Sequence, residues 1–153
     1  MLNTITLILD EWREGLNKMK TFKLKGLKIV SDKEKEIDTK VLTLIDGLVI
    51  NREDDLGWLI EAYVDSSFHA YFKSIEEKQE LIIQAKITRE ENDPAFFITE
   101  IIGINKINED NINIIFQGNV VDHRKSRIEE LLQEILEQGY QGASLLKKFK
   151  ESI

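Results

Sequence analysis

Apolar and polar positions alternate with a period of two through most of this chain and change to helical spacing only near its end. Phe22 and Leu24 share one face, with Lys23 and Lys25 opposite. Beyond Gly26 the apolar phase slips by one residue to Leu27 and Ile29, the pattern of a β-bulge. A charged turn at Ser31–Glu36 leads to a second strand, Ile37–Ile45, which is expected to stop at the tight-turn pair Asp46–Gly47. Leu48–Asn51 resumes, and an acidic loop at Arg52–Gly57 follows. Trp58, Ile60, Ala62 and Val64 then face one side, with Leu59, Glu61 and Tyr63 on the other. Phe68, Ala70 and Phe72 continue the alternation, as do Leu81, Ile83, Ala85 and Ile87. After a turn at Asn92–Pro94, Ala95–Ile107 and Ile112–Val121 are expected to pair as a hairpin across Asn108–Asn111.

The period becomes helical at the end of the chain. Ile128, Leu131, Leu132, Ile135 and Leu136 follow the i, i+3, i+4, i+7, i+8 template of a helix over Ser126–Gln138. Ser126 and Glu129 have capping-box spacing, and Gly139 supplies the stop. A second helix, Gly142–Glu151, carries Ala143, Leu145, Leu146 and Phe149. Each helix is too short to stand alone in water, so both must dock. The first is acidic and the second basic, which favours an antiparallel pair. About seven strands with short polar turns and no long helical pattern between them argue against a parallel βαβ sheet. The expected architecture is mainly β: an antiparallel barrel core over 19–122, with a two-helix hairpin over 123–153 packed on the same domain. A two-sheet sandwich is the alternative.

Composition narrows the function classes. A chain of 153 residues, 42% hydrophobic and 32% charged, can bury a core of its own. It has no cysteine, so disulfides, thiolate chemistry and cysteine-ligated zinc are excluded, which fits a cytoplasmic location. The net charge of −7 argues against nucleic acid and anionic membrane as general partners. No segment has the length of a membrane span, and Ile5–Leu9 is too short and too soon followed by Asp10 and Glu11 for a signal peptide. Trp12–Gly15 is encodable by a purine-rich stretch resembling a ribosome-binding site just ahead of Met19. Residues 1–18 are therefore expected to be a non-native upstream extension, the alternative being a short helix or tail.

Three blocks carry a family resemblance: Met19–Leu24 (MKTFKL), Asp46–Asp54 (DGLVINRED) and Trp58–Tyr63 (WLIEAY). Together they resemble the YwpF-like family of Bacillus-type and Staphylococcus-type bacteria, over about residues 19 to 153. The resemblance implies a β-barrel with a C-terminal helix pair, similar to the barrels of type VI secretion tube proteins. It implies no catalytic residue and no cofactor.

The chain holds two histidines, His69 and His123. A metal or catalytic pair needs them adjacent in space with carboxylate support, which their spacing does not supply, so both read as surface residues. Glu53, Asp54 and Asp55, with Glu61 beyond Trp58, lack the alternating spacing and turn glycine of a calcium loop. Glu61, in mid-strand among apolar neighbours, either is buried and paired or points into a barrel lumen. Lys20, Lys23, Lys25 and Lys28 form a basic stripe without interleaved aromatics and read as edge protection. Arg124, Lys125 and Arg127 oppose the dipole at the start of the first C-terminal helix and are the candidate anion- or partner-binding residues. The expected role is a non-enzymatic protein-interaction or assembly module, self-association included. A small-ligand or anion-binding barrel is the alternative. A filled lumen favours the first and an open polar cavity the second.

Overall fold

The computed structural model describes residues 20–33, 36–52, 57–78, 80–121 and 125–153, with the backbone only of Lys33, Lys125 and Ser126. Its strands are β1 (Lys20–Lys33), β2 (Glu36–Leu42), β3 (Leu44–Asn51), β4 (Trp58–Asp65), β5 (Leu81–Ile87), β6 (Ala95–Lys106) and β7 (Asn111–Val121). A 3-10 turn, Ser66–Phe68, enters α1 (His69–Ile75), and α2 (Lys125–Glu137) and α3 (Ala143–Ser152) end the chain. All strand pairings are antiparallel, and the circuit β1-β3-β4-β7-β6-β5 closes back on β1 as a six-stranded barrel. The expected barrel is therefore present, with β2 as an additional strand attached to β1.

β1 makes the closure. Along one edge Leu24–Val30 pairs with β5, and along the other Lys20–Lys23 pairs with β3 and Leu27–Lys33 with β2. The β1–β5 register shifts between Leu24 and Gly26, the bulge read from the phase slip. That extra residue keeps Leu24, Leu27 and Ile29 all in the barrel core while the strand bends. Inside, Val49, Ile60, Val64, Phe97, Ile114 and Phe116 fill the lumen. The barrel encloses side chains, not an open channel.

Two expectations are corrected. Asp46–Gly47 is not a hairpin turn but lies within β3, where both residues pair with β4. The Asp46 carboxylate accepts the Gly47 N–H at 2.8 Å, local bonding that resembles a turn in sequence while the chain stays extended. Gly47 is needed for close approach instead: a Cβ there would lie 2.8 Å from Leu24 Cδ2 and 3.0 Å from the Glu61 carbonyl oxygen. Residues 68–72 are helical, not a strand. Phe68, Phe72 and Ile75 fit helical spacing as well as alternation, and the Asp65 carboxylate starts the helical path by accepting the Ser67 N–H at 2.8 Å. The turn and α1 place Phe72 edge-on to Phe116, 6.2 Å between centroids, against the core.

The C-terminal helices are where the periodicity placed them. Ile128, Leu131, Leu132, Ile135 and Leu136 are all buried, with Leu145 and Phe149 of α3 in the same cluster. Val30, Ile82, Phe96 and Val121 contribute the outward face of the barrel to it. Gly139, at φ +100°, takes the left-handed conformation that ends α2. The basic side of α3 is tied to the barrel: Lys150 Nζ reaches both oxygens of Glu80, just before β5, at 2.8 and 3.0 Å. Residues 1–18 and the Ser126 cap lie outside what the structure describes.

Leu132→Asp is expected to put an unpaired charge into this second cluster and to cost about 4 kcal/mol or more. Urea denaturation measures it, and an unchanged midpoint would show that the helix pair does not dock as described. Gly47→Ala is expected to cost about 1–3 kcal/mol by the same assay, because Leu24 and the β4 backbone leave no room for a methyl group.

Candidate functional site

Those residues singled out in the sequence that the structure describes do not converge. Arg124, His123, Glu53, Asp54 and Asp55 lie outside the described residues, as does the Lys125 side chain. Arg127 is exposed, its guanidinium 4.0 Å from Glu130 one turn along the same helix, a weak surface contact. Lys23 meets the Asp46 carboxylate across β1 and β3 at 2.8 Å. This bond, with the Gly47 N–H, holds the Asp46 carboxyl below its ordinary range. Its small stabilisation is present above the usual carboxylate pKa and lost as pH falls through the lowered one. His69 opens α1 and borders a shallow hollow with Ser66, Lys106 and Glu109. Among the described residues no three His, Asp or Glu side chains are grouped for a metal.

Glu61 is buried, at 1% exposure, but does not point into the lumen. Ile60 and Ala62 on either side occupy the barrel core, so Glu61 faces outward, opposite Leu48 of β3 and Ile115 of β7. The Tyr63 hydroxyl donates to its carboxylate, and Asn113 Nδ2 donates to the same oxygen at 3.1 Å. Asn113 Oδ1 and Nδ2 of the facing Asn105 are buried with no hydrogen-bond partner among the described residues. This strip is a structural polar network, with donors converging on one carboxylate. Burial without those donors would be costly.

Two features outside those expectations stand out. The first is a cleft of about 830 Å³ between the helix pair, the end of α1 and strands β1 and β5. Val30, Ile82, Leu132, Leu145 and Leu146 form its apolar walls, and Lys78, Lys147 and the Lys150–Glu80 pair lie at its rim.

The second is β2. Among the described residues it pairs with β1 alone, so no described strand occupies its far edge, while α2 packs close to it. Asp38 and Lys40 lie on the face that Leu42 carries into the core, and both are exposed. Lys40 Nζ lies 5.4 Å from the Tyr71 ring centroid, which ties β2 to α1. Burial, with the Asp38 charge adding to it, pushes the Tyr71 hydroxyl pKa up. On the other face Val41 is 61% exposed. Ile45 follows at 57%, unpaired in the register shift between Leu44 and Asp46. The sequence marks this strand without revealing its position: Asp38 and Lys40 occupy the parity that its neighbours give to core residues, as edge strands do.

Comparison with known proteins places this architecture. A profile of the YwpF-like protein family matches residues 20–152. The uncharacterised protein YwpF of Bacillus subtilis (strain 168) is 33% identical over 137 residues, covering 88% of this chain and all of that protein. The crystal structure of a hypothetical protein from Staphylococcus aureus superposes with a TM-score of 0.63 at 32% identity, over 86% of this chain and 90% of that one.

Tyr63→Phe is expected to lower the unfolding free energy by about 1–3 kcal/mol, by removing a donor from a buried carboxylate. Equilibrium denaturation in urea tests this, and an unaltered midpoint would show Glu61 satisfied without the hydroxyl.

Proposed function

The chain belongs to the YwpF-like family, and we propose that it acts as a non-enzymatic protein-interaction or assembly module through the open side of β2. The observation that carries this reading is the contrast between a lumen filled with side chains and a strand edge that no other described strand pairs with, beside exposed Val41 and Ile45. A filled barrel holds no substrate, whereas an open edge offers backbone donors and acceptors to another strand. Apolar side chains beside that edge would lose water on contact and add to the backbone bonds. Among the described residues no helix is long and apolar enough to cross a membrane.

A second reading, binding of a small apolar molecule, is favoured by the cleft under the helix pair. Its walls and its volume of about 830 Å³ are those of a ligand pocket.

Complementation of a strain lacking the gene separates the readings. Val41→Lys with Ile45→Lys is expected to leave the fold intact and to abolish complementation. His69→Gln is expected to complement fully. If the Val41/Ile45 variant is folded and complements while Ala143→Trp, which fills the cleft, does not, the ligand reading replaces the interaction reading. A folded His69→Gln variant that fails to complement would instead point to chemistry.

A further inference from the structure

We propose that the partner of the β2 edge is the β2 edge of a second copy, paired antiparallel about a two-fold axis at Thr39. This rests on the interaction reading and names its partner and register. Ile37–Val41 reads Ile-Asp-Thr-Lys-Val, and turned on itself about Thr39 it sets Asp38 opposite Lys40 of the second copy, and Lys40 opposite its Asp38. Ile37 and Val41 meet in the same way. Residues of one parity stay on one face when two strands join into a continuous sheet. The two ion pairs therefore form on the inward-facing side, and the Ile37–Val41 contacts on the side of the helix pair.

Charge selects this register over its neighbours. Sliding the second strand by two residues in either direction sets Asp38 against Asp38, or Lys40 against Lys40, and like charges directly opposite each other destabilise a sheet. The same inward charges that discourage an arbitrary strand thus accept a copy of themselves in a single alignment. Asp38, Thr39, Lys40 and Val41 are exposed, β2 pairs with no strand but β1 among the described residues, and α2 packs close to β2, with Ile37 against its cluster. Ile37 already packs against the helix cluster, so the arriving Val41 would extend that apolar layer across the junction. The interface is isologous and closes at two copies.

The test uses the full chain, which has no cysteine of its own. Sedimentation velocity over a dilution series is expected to show a monomer–dimer equilibrium. Asp38→Lys sets like charges opposite each other twice and is expected to weaken the dimer about ten-fold or more. Adding Lys40→Asp restores opposite charges and is expected to restore the dimer. Thr39→Cys is expected to form an intermolecular disulfide under mild oxidation, because facing Cα atoms in such a pair are about 4.5–5.5 Å apart. Glu36→Cys, roughly 20 Å from its own copy in this register, is not. A chain that stays monomeric, a charge swap that fails to restore the dimer, or equal cross-linking at both positions overturns the proposal. If the chain is monomeric yet the Val41/Ile45 variant still fails to complement, the edge serves a different protein and the interaction reading survives.

Discussion

The structure depends on one strand satisfying three neighbours. β1 pairs with β5 on one edge and with β3 and then β2 on the other, so the barrel cannot close unless its 14 residues change phase part-way along. The shift at Gly26 provides this. Without the additional residue, Leu27 and Ile29 would turn outward, and the core and helix-facing sides of the strand would exchange. The lumen packing and the docking of the helix pair on Val30 both follow from that bulge.

Closure also creates the open edge. β2 and β3 run in succession along the same side of β1, but the circuit continues only through β3 to β4, which leaves β2 outside it. A barrel normally removes its edges, so a strand left outside the circuit is the part of this fold that geometry does not require. Its inward parity carries the exposed charges of Asp38 and Lys40 where the other strands carry core residues, which limits what can pair with it.

The outward faces of the barrel are used in two ways. Toward the helix pair they are apolar, and α2 and α3 cover them with Leu132, Leu145 and Phe149. Along β4 and β7 a buried carboxylate receives the Tyr63 hydroxyl and the Asn113 amide. Such a network sacrifices some apolar burial for a fixed alignment, because its hydrogen bonds are satisfied in only one arrangement.

Much of this was legible along the chain. Alternation located the strands, the slip at Gly26 located the bulge, and the stripe from Ile128 to Leu136 located α2, because each signal is local and set by side-chain periodicity. Asp46–Gly47 and Phe68–Phe72 were misread for a single reason: a turn-like dipeptide and a short apolar run are each compatible with two backbone conformations, and contacts with distant Leu24 and Phe116 decide between them. The direction of Glu61 depended likewise on which face of β4 became the inside. The sequence by itself determined most of the elements, the antiparallel β class and the apolar faces. Only the tertiary structure decided which strands would be neighbours, and so that β2 would keep an open edge, because pairing between distant segments depends on closing the barrel and leaves no periodic trace in the chain.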